Sequence, residues 1–268
     1  MQNLSNQQEK SPLYISFCTQ KGGAGKLVFT TLAASYLHYE MGFNVVVIDC
    51  DYPQWSVHNL REREKEQLKT NAFYFKKAKA LFQKINKRTY PVVSIKPETA
   101  LVDAKKFLEG EERQYDLVLF DLPETVNNRS VVETFFNMDY LFVPITTSRI
   151  NMESTLYFVA RVNDILQKNP SGIRLKNVYT FWNRMMSKER QELLEAYENA
   201  ISEIGISSMQ TRIPNSVKYD REQSIMGNDY LFLSTIFPPD KPLLKGSNWD
   251  VFIDEFLELT NLKTIVSL

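Results

Sequence analysis

The sequence predicts an α/β fold, built on a doubly wound, mainly parallel sheet flanked by helices, and three observations support this. Short apolar segments alternate along the chain with longer segments of helical length and period. Several apolar segments are continuous, as in residues 45–48 and 117–120, which is typical of strands buried on both faces of a parallel sheet. Two of these strands end in aspartate, and ligands of such folds bind at the carboxyl ends of the strands.

Each element follows from this alternation, in chain order. The first apolar run leads through a glycine-rich turn into a helical segment, and the second ends in two aspartates before a long, basic helical segment. The predicted strands are residues 13–18, 44–49, 91–95, 116–121, 140–144, 177–182 and 209–213. The predicted helices are residues 26–40, 55–86, 98–111, 128–137, 152–168, 189–204 and 248–259. Residues 236–247 are rich in proline and are predicted to form a surface loop.

Length and composition are those of an ordinary globular protein. The chain has 268 residues, of which 43% are apolar and 24% are charged. We expect a flexible N-terminus over residues 1–11 and a single domain over residues 12–268. No apolar run reaches the roughly eighteen residues that a membrane-spanning helix needs, and the N-terminus resembles neither a signal peptide nor a transit peptide. We therefore expect a cytoplasmic protein without membrane contact.

Cysteine and histidine are too sparse to predict a metal cluster. Cys18 and Cys50 fall at the ends of predicted strands, which is typical of small buried side chains in a reducing environment. His38 and His58 lie in predicted helices and have no partners at metal-ligand spacing. We expect structural roles for all four residues.

The most informative segment runs from Thr19 to Leu27 and has the sequence TQKGGAGKL. It joins the first predicted strand to the first predicted helix. In that place, a glycine-rich turn directs backbone N–H groups and the helix N-terminus at an anion, while Lys26 neutralises the charge. The sequence therefore predicts a phosphate-binding P-loop. One position departs from the pattern, because Leu27 stands where a P-loop needs a Ser or Thr hydroxyl to ligate Mg²⁺.

Aspartates at two strand ends complete the predicted site. Asp49 and Asp51 are two residues apart in an extended segment and therefore lie on the same side of it. Asp121 ends an apolar run, as the aspartate that holds Mg²⁺ in a Walker B segment does. Each aspartate alone is weak evidence, since Asp is common at strand ends and helix caps. Their order and spacing after a P-loop make the combination specific.

These motifs resemble those of the ParA/MinD family of P-loop ATPases. Residues 21–26, KGGAGK, are similar to the deviant Walker A motif of that family, which is marked by an additional lysine, here Lys21. Residues 49–54, DCDYPQ, resemble its D-x-D-x-P-Q segment, and residues 121–123, DLP, resemble its D-x-P segment. Looser matches extend the resemblance to Pro214. The sequence around the loop is most similar to the ParA-like TraA proteins of conjugative transposons.

The resemblance implies a homodimer that binds ATP or ADP with Mg²⁺ and acts in DNA partitioning or conjugative transfer, in contact with non-specific DNA or a partner protein. It implies that Lys21 reaches the nucleotide of the second subunit and that Asp51 orients the attacking water, both as catalytic residues. It also implies that Asp49 and Asp121 hold waters around Mg²⁺. The residues implied to contact the nucleotide are Lys21, Gly22, Gly23, Ala24, Gly25, Lys26, Leu27, Val28, Asn183, Arg212 and Pro214.

Leu27 leaves the activity open. We expect nucleotide binding to persist with a weaker dependence on Mg²⁺, and hydrolysis to be slow or absent, because a bulky apolar side chain replaces an oxygen ligand. The protein would then be a weak ATPase or a pseudo-ATPase that acts as a regulatory or protein-binding module. If the side chain of Leu27 rotates away, activity persists. A small-molecule ligase of the same P-loop class is a third alternative, for which the sequence reveals no substrate pocket.

Two further regions carry unbalanced charge. Residues 61–88 contain ten Lys and Arg but only three Glu, with aromatic residues among the lysines. This pattern predicts either a contact with nucleic acid or a solvated helix face. The last predicted helix is acidic, whereas a membrane-surface helix typically carries Lys and Arg on its polar face. We expect this helix to pack on the sheet.

Overall fold

A seven-stranded parallel sheet forms the centre of the protein. The computed structural model describes residues 11–19, 23–124, 128–168, 171–222 and 229–262. The strands in these ranges are β1 (Leu13–Phe17), β2 (Val45–Asp49), β3 (Val92–Ser94), β4 (Leu117–Asp121), β5 (Tyr140–Ile145), β6 (Asn177–Trp182) and β7 (Ser207–Ser208). Their order across the sheet is β3-β2-β4-β1-β5-β6-β7, and each neighbouring pair is parallel. This confirms the predicted doubly wound α/β fold.

Helices cover both faces of the sheet. They are α1 (Lys26–Ser35), α2 (Ser56–Thr70), α3 (Ala72–Ile85), α4 (Ala100–Glu109), α5 (Arg129–Phe136), α6 (Arg149–Gln167), α7 (Gln191–Glu203), α8 (Lys241–Leu244) and α9 (Trp249–Thr260). A π-helical turn, Tyr36–Glu40, continues α1, and short 3₁₀ turns lie at Pro97–Thr99 and Val217–Asp220. Alternate residues of the strands enter two apolar clusters, one on each face. The continuous apolar runs of the sequence are explained by this burial on both sides.

The prediction of one helix over residues 55–86 is wrong, because the segment breaks at Asn71. This residue has an extended backbone conformation, with φ −111° and ψ 105°, and its side chain accepts hydrogen bonds from the backbone N–H groups of Phe73 (3.0 Å) and Tyr74 (3.4 Å). Asparagine is favoured at such N-cap positions. It therefore ends α2 and starts α3 as a separate helix.

The prediction of a strand over residues 209–213 is also wrong, because the seventh strand is the short pair Ser207–Ser208. The backbone N–H groups of Gln210 and Thr211 donate instead to the carboxylate of Glu255 in α9, at 2.6 and 2.8 Å. These donors are then no longer available to a neighbouring strand. The predicted loop over residues 236–247 contains the short helix α8, which begins after Asp240 with Pro242 in its first turn.

The acidic helix α9 packs on the sheet, as the sequence predicts. Trp249, Phe252 and Phe256 are fully buried. The ring of Phe17 in β1 lies 6.4 Å from that of Phe252 and 6.1 Å from that of Phe256, measured between centroids. These rings form part of the apolar cluster on the side of the sheet that α1 also covers. Aromatic packing therefore ties the C-terminal part of the chain to the centre of the sheet.

Candidate functional site

The glycine-rich turn lies at the carboxyl end of β1, between β4 and β5. Ligands of doubly wound sheets bind at this kind of edge, where the chain crosses to opposite faces of the sheet. Gly25 precedes α1 with φ 100°, and a Cβ atom there would lie 3.0 Å from both Asn183 Nδ2 and Phe29 Cε2. A larger residue would therefore be strained as well as crowded. The predicted residues Lys21 and Gly22 lie outside the described residues, and Gly23 and Ala24 lie in the turn.

Lys26 is at the centre of the charged group in the site. Its side chain is only 7% exposed, and its Nζ donates a hydrogen bond of 2.5 Å to the backbone oxygen of Leu122. The same Nζ lies 3.5 Å from Asp51 Oδ2 and 3.7 Å from Asp121 Oδ1. The fold therefore brings together three residues from the turn after β1 and the ends of β2 and β4. This group can neutralise phosphate charge on one side and hold a cation or a water on the other.

Asp121 is the least satisfied group of the site. It is fully buried, and neither of its carboxylate oxygens has a hydrogen-bond partner among the described residues. Burial raises the pKa of Asp121 to about 7, although the nearby ammonium group of Lys26 acts in the opposite direction. A buried acceptor without a partner is costly. Its oxygens fit the role predicted for them, which is to accept hydrogen bonds from waters around Mg²⁺.

Asp49 has partners of its own. One carboxylate oxygen accepts from the backbone N–H of His58 at 2.9 Å, in the first turn of α2, and the other accepts from the N–H of Asp51 at 3.2 Å. Burial raises the pKa of Asp49, and these two hydrogen bonds lower it again in part. Asp49 thus joins the end of β2 to the start of α2, so a ligand that contacts Asp49 would also act on that helix.

Leu27 is the second residue of α1, directly after Lys26. Its side chain is half-buried and packs against the apolar cluster that contains Phe29. It supplies no oxygen at the position where a P-loop supplies its hydroxyl ligand. Any Mg²⁺ at this site would depend on Asp49, Asp121, phosphate oxygens and water.

A cavity of about 280 Å³ adjoins the turn on the β5–β6 side. Asn183, at the end of β6, lines it and donates from Nδ2 to the backbone oxygen of Ala24 at 2.7 Å. Val28 and Pro214, both predicted to contact the nucleotide, also line it. The side chain of Arg212 does not belong to the lining, because it points to the surface, where it forms an ion pair of 2.8 Å with Glu198.

Sequence reasoning missed one wall of this cavity. The 3₁₀ turn Val217–Asp220 contributes Val217, Tyr219 and Asp220 to the lining. Tyr219 is nearly buried, and its hydroxyl donates to the backbone oxygen of Ser247 at 2.7 Å. The turn carries no motif of its own. Its position after the last strand, at the same edge as the P-loop, is the signal that could have indicated it.

The outer faces of α2 and α3 differ in charge. On α2, Lys65 pairs with Glu62 at 2.7 Å and Lys69 pairs with Glu66 at 2.6 Å. On α3, three exposed lysines have no acidic partner among the described residues, and two phenylalanines beside them are 41% and 57% exposed. These are Lys76, Lys79, Lys84, Phe73 and Phe75. We call this set the α3 face. Among the described residues, the exposed lysines of residues 61–88 thus lack acidic partners on α3 but have them on α2.

The fold and the site together define a P-loop nucleotide-binding protein: a parallel sheet with a glycine-rich turn after β1 and aspartates at the ends of β2 and β4. The family model described as ATPase MipZ matches residues 13–171, more than half of the chain. The protein belongs to this family. The relationship to the ParA/MinD family of ATPases that the motifs indicate is thereby confirmed.

Solved structures show the same fold over nearly the whole chain. A plasmid partition protein from Borrelia burgdorferi B31, bound to AMPPNP, is 17% identical with a TM-score of 0.56, covering 93% of this chain and 99% of the other. The MinD cell division protein of Aquifex aeolicus is 15% identical with a TM-score of 0.54, covering 93% and 97%. Apo McdA of Cyanthece is 14% identical with a TM-score of 0.52, covering 93% and 98%. No curated protein matches the sequence.

In the described ranges, no helix has the length and apolar character needed to cross a membrane.

Proposed function

We propose that this protein binds ATP and Mg²⁺, dimerises in response to the nucleotide, and acts in DNA partitioning or conjugative transfer in the cytoplasm, as the TraA-like sequence around its loop suggests. The observation that carries the proposal is the convergence of Lys26, Asp51 and Asp121 beside the cavity at the carboxyl edge of the sheet. Membership of an ATPase family supports it. A partition protein of similar fold is bound to AMPPNP, which supports the same class of ligand.

Each residue has a task in this proposal. The turn holds the phosphates through its backbone N–H groups, and Lys26 exchanges the oxygen of Leu122 for phosphate oxygens. Mg²⁺, when bound, neutralises the charge of the phosphates, and Asp49 and Asp121 hold its waters. Asp51 orients the attacking water. Lys21 of a second subunit neutralises charge that develops during phosphoryl transfer, so hydrolysis requires the dimer.

The experiment that tests nucleotide binding is a calorimetric titration of the purified protein with ATP, with and without Mg²⁺. We expect saturable binding of one ATP per chain, with less than the usual gain from Mg²⁺ because Leu27 offers no oxygen. If ATP does not bind under either condition, the proposal is wrong. The chain would then use its fold only as a scaffold for other contacts.

Hydrolysis is tested by steady-state phosphate release from the wild type, Leu27→Thr and Leu27→Val. Thr and Val have nearly the same shape, so only the hydroxyl group distinguishes the two variants. We expect the Thr variant to gain activity and the Val variant not to gain it. Equal gains in both variants would mean that the bulk of Leu27, rather than its missing oxygen, limits the reaction.

A second candidate function, a pseudo-ATPase that serves as a regulatory or protein-binding module, is favoured by one observation. Leu27 is already packed against the apolar cluster of the core, so its side chain has a stable position that does not require a metal. If Leu27→Thr restores no phosphate release although ATP binds, this second function becomes the better description.

The partner that we propose for the α3 face is nucleic acid. Its unpaired lysines can neutralise phosphates, and its exposed aromatic rings can contact bases. We expect a variant with Lys76, Lys79 and Lys84 changed to Gln to bind DNA more weakly and with a salt dependence reduced by about 0.7–0.9 units of slope per lost phosphate contact. The control changes Lys65 and Lys69 to Gln, which removes two positive charges that are paired on α2. An equal loss in both variants would contradict the assignment.

A further inference from the structure

Glu255 in α9 accepts hydrogen bonds from two successive backbone N–H groups of the segment that leads into the cavity wall at Pro214. Its Oε1 accepts from Gln210 at 2.6 Å, and its Oε2 accepts from Thr211 at 2.8 Å. Hydrogen bonds to an ionised carboxylate are roughly twice as strong as neutral ones. Both oxygens are used on the same short segment, so the carboxylate fixes the orientation of the segment as well as its position. Its two oxygens accept the hydrogen bonds that a strand predicted over residues 209–213 would have donated to a neighbouring strand.

Further contacts fasten the same loop to the residues around the start of α9. The side-chain amide of Asn248 donates to the backbone oxygen of Arg212 at 2.8 Å. Beyond the loop, the hydroxyl of Tyr219 donates to the backbone oxygen of Ser247. The ammonium group of Lys218 donates to the backbone oxygen of Lys245 at 2.5 Å. Residues 210–219 are therefore held at several points by residues 245–255.

The same helix also supports the floor of the cavity. Phe29, which lines the cavity from the first turn of α1, has its ring centroid 6.0 Å from that of Trp249 and 5.6 Å from that of Phe252. Trp249 and Phe252 stack on each other with centroids 5.2 Å apart. Wall and floor thus depend on one element that itself contributes no residue to the lining.

We propose that Glu255 is a positioning residue for the nucleoside end of the bound nucleotide, and that α9 and the occupant of the cavity are coupled through it. The inference rests on the proposed nucleotide binding and adds to it a residue that lies outside the P-loop and the aspartate segments. Without Glu255, the N–H groups of Gln210 and Thr211 lose their acceptors, and the wall from Pro214 to Asp220 loses one of its anchors. The phosphate turn lies on the other side of Asn183 and keeps its own contacts.

The coupling is reciprocal. If α9 holds the wall in the shape that fits the nucleoside, then a bound nucleoside must hold α9 more firmly to the wall, because linkage acts equally in both directions. We expect ATP to slow hydrogen exchange at the amides of Gln210 and Thr211. Inorganic tripolyphosphate, which fills only the phosphate end, should have a much smaller effect on these two amides.

The test compares Glu255→Ala and Glu255→Gln with Glu258→Ala, by calorimetric titration with Mg-ATP and with Mg-tripolyphosphate. Glu258 lies almost one turn further along α9 and is exposed, so its variant makes the same change of charge without touching the loop. We expect Glu255→Ala to weaken ATP binding about tenfold, as for the loss of hydrogen bonds to a charged group, and to leave tripolyphosphate binding within about twofold. Glu255→Gln keeps one acceptor oxygen, so its affinity for ATP should lie between the affinities of the wild type and Glu255→Ala. Glu258→Ala should match the wild type for both ligands.

Each other result has a definite meaning. If the wild type binds tripolyphosphate but not ATP, or neither ligand, the proposed function fails before the role of Glu255 is reached. If the wild type binds ATP and Glu255→Ala lowers the affinity for both ligands equally, Glu255 is merely structural, and the inference is overturned. Unchanged ATP affinity in Glu255→Ala also overturns it. If Glu255→Ala does not fold, two other measurements test the inference. These are the ratio of the ATP and tripolyphosphate affinities of Glu255→Gln, and the effect of ATP on hydrogen exchange at the amides of Gln210 and Thr211.

Discussion

The two ends of the candidate site are built in different ways. At the phosphate end, the Nζ of Lys26 lies within 4 Å of a carboxylate oxygen of Asp51 and of Asp121, in a region that is nearly closed to solvent. At the other end, the cavity that we propose holds the nucleoside, the lining is mainly neutral and includes Phe29, Asn183 and Pro214. Charge at short range dominates the first end, whereas shape and hydrogen bonds dominate the second.

This difference indicates how strongly a single substitution should act at each end. Buried charges interact strongly, but they also cost much when a partner is removed, so single changes at the phosphate end should have large effects. The neutral wall of the cavity should contribute less to the free energy of binding, and its contribution depends on the elements that pack behind it. Asn183 is the residue that joins the two ends, because it lines the cavity and also bonds to Ala24 in the phosphate turn.

The largest expected effect follows from Lys26→Ala. Loss of the ammonium group removes the phosphate contact and leaves two aspartates without their positive partner. We expect the affinity for both Mg-ATP and Mg-tripolyphosphate to fall by about 100-fold or more, as measured by calorimetry. Lys79→Ala, on the exposed α3 face, is the control and should leave both affinities unchanged. A loss of less than about tenfold for tripolyphosphate would show that charge does not dominate this end.

The second prediction concerns pH and the stability of the nucleotide-free protein. Burial raises the pKa of Asp121 to about 7, whereas an unfolded aspartate has a pKa of about 3.9. Between these values the folded protein retains a proton that the unfolded chain releases. The free energy of unfolding therefore falls as the pH rises from about 4 to about 7, and this contribution of Asp121 is lost above pH 7.

Asp121→Asn removes this titration. We expect the wild type to lose about 2 kcal/mol of stability relative to the variant between pH 5 and pH 8, as measured by denaturant unfolding at both pH values. Asp103→Asn, on α4, is the control, because the side chain of Asp103 is 40% exposed, and this variant should change with pH as the wild type does. Parallel behaviour of the wild type and Asp121→Asn would mean that Asp121 is not a buried, protonated group.

The third prediction tests the residue that joins the two ends. Asn183→Ala removes a side chain that lines the cavity and donates to the oxygen of Ala24. We expect about a tenfold loss of affinity for ATP and about a threefold loss for tripolyphosphate, because a neutral hydrogen bond contributes about 1 kcal/mol. Asn183→Asp keeps the shape and the oxygen that accepts from the N–H of Arg184, but it replaces the donor with a negative charge and should therefore lower the affinity for tripolyphosphate more than Asn183→Ala does. An effect on ATP alone would place Asn183 entirely at the nucleoside end.

The smallest effect is expected from Arg212→Ala. The resemblance implied that this residue contacts the nucleotide, but the fold directs its side chain to Glu198 at the surface. An exposed ion pair contributes between 0 and about 1 kcal/mol. We expect the affinity for ATP to stay within about twofold of the wild type in the same titration. A tenfold loss would show that the side chain turns towards the cavity when the nucleotide binds.

Local patterns in the sequence predicted most of the fold and the group formed by Lys26, Asp51 and Asp121. The continuous apolar runs that became β2 and β4 required burial on both faces of a parallel sheet. The glycine-rich turn between a strand and a helix predicted a phosphate-binding loop. Asp49, Asp51 and Asp121 could be placed together because the carboxyl ends of parallel strands meet at one edge. In each case, neighbouring residues along the chain carried the information.

Only the tertiary structure decided the nucleoside end and its support. Glu255 lies 44 residues from Thr211, and Asn183 lies 159 residues from Ala24, and no local pattern marks either pair. The break at Asn71 could be recognised from capping preference only once the helix on each side was known. The same holds for the α3 face, since its charge stands out only because Lys65 and Lys69 are paired on α2. Backbone geometry is encoded locally, whereas a hydrogen bond between distant segments depends on how the packed elements orient both partners.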